Sequence, residues 1–267
     1  MSDPALLTVE KLEVVYHRTI TAVQGISLTV RKGQIVAILG TNGAGKSTTL
    51  RAISGFLGID NARVTDGSVT FNGKRIETLQ PNHITRLGIA LVPERDKVFP
   101  NLTVAENLAA PVTLSGYDRQ DSESLAFQFF PRLKDLRGRT AGLLSGGERQ
   151  MLAIASALVC RPQLLLVDEL SLGLAPVAVD DLIERLAHIR RELGITIVIV
   201  EQSASVALSI ADYGYVLENG RIVLDGESER LRNHADIQEF YFGQTAGAAR
   251  RSYRSVKQYR RSRRWYG

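Results

Sequence analysis

Residues 40–47 read Gly-Thr-Asn-Gly-Ala-Gly-Lys-Ser, and that order of glycines, lysine and serine suits one kind of chemistry, the holding of a polyphosphate. Glycines at 40, 43 and 45 let the backbone curl until N–H groups of Gly40, Thr41, Asn42, Gly43, Ala44 and Gly45 face phosphate oxygens. Lys46 would neutralise the β- and γ-phosphates, Ser47 would offer its hydroxyl to magnesium, and Thr48 continues the cradle into a helix start. A second set of groups lies far along the chain. The aliphatic run Leu164 to Val167 ends in Asp168 and Glu169, so that Asp168 can hold magnesium through its water shell and Glu169 can act as general base on an attacking water. The plainer alternative for this pair is a solvated strand end. A third set, Ser145, Gly146 and Gly147 followed by Glu148, is a capping box that starts a helix. It is either that alone or a second anion site built from a hydroxyl, glycine N–H groups and a helix N-terminus.

These groups need particular elements to position them. The apolar stretch 35–39 reads as a buried strand and 47–53 as the start of a helix, which places the phosphate loop between the two. Residues 6–30 alternate in short runs and predict strands joined by turns. Tyr16 ends the first of these runs, either as a face on which adenine stacks or as an ordinary edge-strand aromatic. Asn72-Gly73 between β-prone stretches predicts a hairpin. From 84 to 142 the pattern becomes mostly helical: Thr103 and Glu106 fit a capping box, and Leu125, Phe129, Leu133 and Leu136 recur at helical spacing. This predicts an inserted helical subdomain, with Pro111 and Pro131 dividing it into short helices and Phe127, Phe129 and Phe130 in its core. Pro176 opens a further helix with Leu182, Leu186, Ile189 and Leu193 on one face, and Ile195 to Val200 forms the next buried strand, a β-α-β unit of a parallel sheet.

Composition bounds the rest. The 267 residues are 44% hydrophobic and 23% charged, ordinary for a soluble α/β domain with an insertion. The N-terminus lacks a basic start followed by an apolar block, and no aliphatic run is long enough to span a bilayer, which predicts no leader and no membrane span. The single cysteine, Cys160, allows no intrachain disulfide and points to a reducing cytosol and a buried thiol. His17, His83, His188 and His234 show no ligand spacing, so no transition-metal site is expected. The net charge of +5 is concentrated at one end. Residues 244–267 hold eight Lys/Arg and no acid, so the net +5 becomes −3 when that tail is set aside. With Tyr253, Tyr259, Trp265 and Tyr266 interleaved, the tail could bind RNA, anionic lipid or an acidic partner, or remain a solvated, disordered extension.

The phosphate loop at 40–47, LSGGE at 144–148 and LLLVDE at 164–169 occur in the order and approximate spacing of the nucleotide-binding subunit of an ATP-binding cassette (ABC) transporter, which the chain closely resembles over residues 6–243. The resemblance implies a P-loop NTPase cassette, α/β in class, with a parallel core sheet, an N-terminal antiparallel β subdomain and an inserted α-helical subdomain. It implies ATP and Mg2+ as cofactors, and a second cassette closing head to tail, so that Ser145 and Gly147 reach the γ-phosphate held by the partner's loop. VPERDKVFPNLTVAENL (92–108), SLGLAP (171–176), residues 199–223 and EFYFG (239–243) look more narrowly like the second ATP-binding subunit of importers for branched-chain and other hydrophobic amino acids, a group that includes urea and amide importers.

That narrower resemblance implies a chain on the cytoplasmic face of the inner membrane, peripheral, paired with a second, distinct or identical cassette, two membrane permeases and an extracytoplasmic solute-binding protein. Val98, Phe99 and Leu102 are then candidates for docking a permease helix, or plain core. Three positions depart from the wider consensus in ways the narrower group shares, and a fourth departs even from that group. Glu94 stands where glutamine reaches toward magnesium, Gln202 where histidine contacts the γ-phosphate, Ala175 where an aspartate links the two sites, and Leu170 where proline follows the catalytic glutamate. Gln202 can donate a hydrogen bond without carrying charge, and Leu170 leaves the rigidity of the Glu169 backbone open. Two other classes stay in view: a soluble ATPase acting on nucleic acid or ribosomes, supported only by the basic tail, and a largely non-hydrolysing partner that completes another cassette's site.

Overall fold

The computed structural model describes residues 5–95, 97–111, 118–234 and 237. The basic tail at 244–267 and EFYFG at 239–243 lie outside the described residues. In chain order the elements are β1 (Ala5–Tyr16), β2 (Ile20–Arg31), β3 (Ile35–Gly40), α1 (Lys46–Ser54), β4 (Ala62–Phe71), β5 (Lys74–Arg75), α2 (Pro81–Arg86), β6 (Ile89–Val92), α3 (Val104–Ala109), α4 (Arg119–Phe129) and α5 (Pro131–Asp135). They continue with α6 (Gly146–Val159), β7 (Leu164–Asp168), α7 (Pro176–Leu193), β8 (Thr196–Glu201), α8 (Ala204–Ile210), β9 (Tyr213–Glu218), β10 (Arg221–Glu227) and α9 (Ser228–Arg232).

Two sheets result. One has four antiparallel strands in the order β2-β1-β4-β5, and the other has six in the order β10-β9-β3-β8-β7-β6, parallel except for β10. The sequence of the parallel strands explains why both their faces are covered. Ile35, Ala37 and Leu39 of β3 enter one hydrophobic cluster with the helical layer, while Val36 and Ile38 enter a second with the antiparallel sheet and α1. Strands β7 and β8 divide the same way, Leu165, Val167, Ile197 and Ile199 to one side and Leu164, Leu166, Val198 and Val200 to the other. A period of two in an unbroken aliphatic run needs apolar partners on both faces.

The antiparallel sheet bends at a bulge where Lys11 has φ 46° and Gly67 crosses it. A Cβ at Gly67 would lie 2.4 Å from the Glu10 carbonyl oxygen, so only glycine fits. The hairpin at Asn72-Gly73 is present, both residues having positive φ (48° and 76°) between β4 and β5, as a type I′ turn requires. The prolines act as sequence reasoning expects: α3 ends before Pro111, and Pro131 is the first residue of α5. Phe129, Phe130 and Leu133 are buried across that break. Both capping boxes, Thr103 with Glu106 and Ser145 with Glu148, are closed in both directions. The core sheet takes one piece out of the stretch 84–142. Strand β6 pairs in parallel with β7, because its four residues are apolar and short enough to serve as an edge, so the helical layer is made by α3, α4 and α5 packed on α6.

Candidate functional site

The phosphate loop turns at the C-terminal edge of the parallel sheet, between β3 and α1. Its glycines are required for different reasons. A Cβ at Gly40 would sit 2.6 Å from the Leu217 carbonyl oxygen and one at Gly45 would sit 2.8 Å from that of Ala22, whereas Gly43 meets nothing and is needed only for its φ of 79°. Helix α1 begins at Gly45 with no side-chain cap and no acid in its first turn, which leaves its amides and positive dipole end for an anion. A cavity of about 500 Å³ opens here, lined by residues 42–48 together with Ala22, Glu94, Arg95, Glu169 and Leu172. A larger cleft of about 880 Å³ lies beside Tyr215 and Asp225, away from every one of these groups. Its size does not make it the better candidate, because it holds neither the loop nor the buried lysine.

Lys46 is only 4% exposed. Its ammonium donates to the carbonyl oxygens of Gly40 (2.9 Å) and Thr41 (3.2 Å) and lies 3.1 Å from Glu169 Oε1. Ser47 Oγ donates to Asp168 Oδ1 at 3.0 Å. The two predicted sets of groups, 121 residues apart, are therefore in direct contact. Tyr16 is brought to the same place by its hydroxyl, 3.2 Å from Thr48 Oγ1, and Glu94 faces the cavity with Arg95 Nε 3.2 Å away.

Not every predicted residue joins them. Gln202 is exposed just beyond β8 and does not line the cavity. Ser145, Gly146 and Gly147 open α6 away from it. At Gly147 an added Cβ would meet only Ala178, at 3.5 Å, so nothing among the described residues requires a glycine there.

Glu169 occupies the left-handed region, φ 51°, a conformation disfavoured for a residue with a Cβ and common where a site stores strain. Its N–H is held by the Val200 carbonyl oxygen at 2.9 Å. The carboxylates around it are dense. Burial pushes Asp168 up to about 6, with the charges of Glu169 and Glu94 adding to it against the Ser47 bond and Lys46. Burial likewise pushes Glu201 up to about 7 against the bonds from Ser171 and Leu170, with Glu169 again adding. Asp168 beside a serine hydroxyl, within a surplus of carboxylates, is an all-oxygen donor set that fits a hard divalent cation.

Sequence reading passed over Glu201 and Ser171. Glu201 carries the same signal as Asp168, a carboxylate closing a buried aliphatic strand, and its side chain accepts from both the backbone and the hydroxyl of Ser171.

These raised values set a pH dependence. The folded chain holds protons that the unfolded chain releases above the ordinary values of 3.8 and 4.5. The contribution of these two groups is therefore greatest at low pH within this window, falls as pH rises from about 4 to about 7, and levels off above it. Glu77, Glu106 and Glu148, held low by their hydrogen bonds, act in the opposite sense below the ordinary carboxylate range. For Glu201 alone the change is about 3 kcal/mol at roughly 1.4 kcal/mol per pKa unit. Thermal midpoints of the nucleotide-free full-length chain should fall across that range, and Glu201→Gln should flatten the slope by raising the midpoint at pH 8 most. A wild-type midpoint that rises steadily from pH 5 to 7 would contradict this.

The pattern of the ABC transporter family matches residues 23–171. The chain belongs to that family. It is 41% identical over 243 residues to the high-affinity branched-chain amino acid transport ATP-binding protein BraG of Pseudomonas aeruginosa, covering 89% of this chain and all of that one. It is 40% identical over 215 residues to the probable branched-chain amino acid transport ATP-binding protein LivF of Archaeoglobus fulgidus, covering 80% and 89%. Among solved structures, an ATP-binding cassette of an ABC transporter in its ADP conformation superposes with a TM-score of 0.77 at 28% identity, covering 90% of this chain and all of that one. A nucleotide-free cassette gives 0.77 at 28% identity, covering 86% and 94%. The chain is thus an ABC ATPase, and its fold is that of a cassette.

Proposed function

We propose that this chain is the ATP-hydrolysing subunit of a multi-subunit importer for branched-chain or related hydrophobic amino acids, peripheral on the cytoplasmic face of the membrane. The observation that carries the reading is the match to BraG along its whole length, supported by an intact constellation of Lys46, Ser47, Asp168 and Glu169. No helix among the described residues is long and apolar enough to cross a membrane, in keeping with separate permease subunits.

Each residue has a role in this reading. The loop amides and Lys46 bind the β- and γ-phosphates, and Tyr16 offers its ring to adenine. Ser47 and Asp168 hold Mg2+, which when bound neutralises phosphate charge in the transition state. Lys46 exchanges its ion pair with Glu169 for phosphate oxygen, and Glu169 is then free to take the proton of the attacking water. Glu94 already lines the site, and Gln202 reaches it only as its walls close.

Ser145 and Gly147 act on the nucleotide of a second cassette. The uncapped N–H groups of Gly146 and Gly147 at the start of α6, and a glycine that the chain's own packing does not require, support that role. Of the three docking candidates, Val98 packs onto the core and Leu102 is half-buried, while Phe99 is 59% exposed at the rim of a 310 Å³ groove with Leu91, Pro93 and Ala153. A permease segment would seat there.

The test is affinity capture of the full-length chain from a mild-detergent membrane extract of its native host, with co-purifying proteins identified by mass spectrometry. Two permeases and a second cassette are the expected result, and an attached solute-binding protein, assayed against amino acids, urea and amides, names the cargo. Ribosomal proteins without membrane partners would overturn the reading.

A further inference from the structure

Glu201 is fully buried, yet every other residue of β8 from Ile197 to Val200 is aliphatic. A carboxylate in such a place is costly to desolvate, and packing alone would be better served by leucine. Its partners explain its presence. Ser171 N donates to Glu201 Oε1 at 2.9 Å, Ser171 Oγ donates to Oε2 at 2.7 Å, and the Leu170 N–H also donates to the carboxylate.

The register of the sheet shows what this arrangement does. Asp168 is paired with Val200 as the last rung between β7 and β8, and Glu169 N still reaches the Val200 carbonyl oxygen. The chain then leaves the ladder through the left-handed turn at Glu169. The β7–β8 ladder ends there, and the next bonds to β8 run to the Glu201 side chain. Glu169 therefore lies between two anchors on the same strand, the Val200 carbonyl before the turn and the Glu201 carboxylate after it. Leu170 contributes to the second anchor, because it has the N–H that a proline at this position would lack.

We infer that Glu201 is a positioning residue for ATP hydrolysis: by fastening residues 170–171 to the end of β8 it fixes the strained backbone from which Glu169 presents its carboxylate to the nucleotide. The inference rests on Glu169 being the base. Leu172, which lines the cavity, follows directly on the fastened segment, and Gln202 follows directly on Glu201. The clamp thus also ties the cavity-lining segment at Leu172 and the segment that begins at Gln202 to one side chain.

The test compares ATP hydrolysis, ATP affinity and thermal midpoint for Glu201→Ala, Glu201→Gln, Ser171→Ala and Glu169→Gln in the full-length chain, in whatever assembly it is isolated. Glutamine can accept from Ser171 N and donate to Ser171 Oγ, so it preserves the clamp without charge. The expected result is a kcat about 10–100-fold lower for Glu201→Ala with ATP affinity within about threefold of wild type, because misplacing a catalytic group costs rate rather than ground-state binding. Glu201→Gln should keep kcat within about threefold of wild type, and Ser171→Ala should fall between the two.

Wild-type kcat in Glu201→Ala alongside an inactive Glu169→Gln would overturn the clamp alone, and an active Glu169→Gln would overturn the base assignment on which it rests. Equal losses in the alanine and glutamine variants would also overturn the clamp, since the charge and not the tether would then matter. If Glu201→Ala fails to fold, Ser171→Ala decides by the same split of kcat against affinity.

Discussion

Glu169→Gln is expected to abolish steady-state ATP hydrolysis, lowering kcat by about 10²–10⁴-fold, the range for removing a general base. ATP binding should survive, because the amides of the loop, Lys46 and the α1 N-terminus are untouched. The structure adds a second, independent consequence. Without nucleotide, the Glu169 carboxylate is the counter-charge of Lys46, 3.1 Å away with both side chains buried. An amide in its place can still accept from the ammonium through its oxygen, beside the carbonyls of Gly40 and Thr41, but it carries no counter-charge, a loss of about 1–3 kcal/mol. The nucleotide-free variant should therefore melt below wild type, and saturating ATP should remove the deficit, since phosphate then replaces the missing charge. Hydrolysis assays with thermal melts in the presence and absence of ATP check both points. An unchanged hydrolysis rate would remove Glu169 from its assigned role.

Lys46→Met should have the converse effect on binding. It removes the one buried cation of the loop and with it charge-assisted hydrogen bonds worth about 1.5–3 kcal/mol, so ATP affinity should fall by about 10–100-fold and hydrolysis by more, as charge develops on the transferred group. Here ATP should not restore the midpoint of the variant, because the residue that would couple phosphate to the fold is gone. The double variant Lys46→Met/Glu169→Gln should cost less stability than the two single losses combined, as expected for partners in one ion pair. Equilibrium binding of ATP and melts of the single and double variants, without nucleotide, measure these effects. Full additivity in the melts would mean that the two side chains do not meet in solution.

Much of this site was legible before any fold was known, because its chemistry is local. Residues 40–47 are contiguous, and the glycine pattern is dictated by backbone curvature and close approach within a single turn. The carboxylates at 168 and 169 announced themselves as charge at the end of an aliphatic strand. Glu201 ends β8 in the same way, but its partner Ser171 is 30 residues distant and carries no pattern, so its function could not be read from spacing. Likewise the stretch 84–142 reads as helical as a whole, and only pairing with β7 shows that 89–92 is a strand. Four apolar residues are compatible with either state until a neighbour supplies the hydrogen bonds.

By itself, then, the sequence determined the glycine-rich turn at 40–47, the capping boxes, the hairpin turn and the alternation that buries the parallel strands on both faces. All of these rest on interactions within a few residues, or on a period that one element displays alone. The tertiary structure decided which distant groups meet: Lys46 with Glu169, Ser47 with Asp168, Tyr16 with Thr48, and Glu201 with Ser171. It also decided that Ser145 and Gly147 open a helix away from the loop's own cavity. Those outcomes depend on strand order and register, which arise from the simultaneous burial of both faces of the sheet, and no single stretch of the chain contains that information.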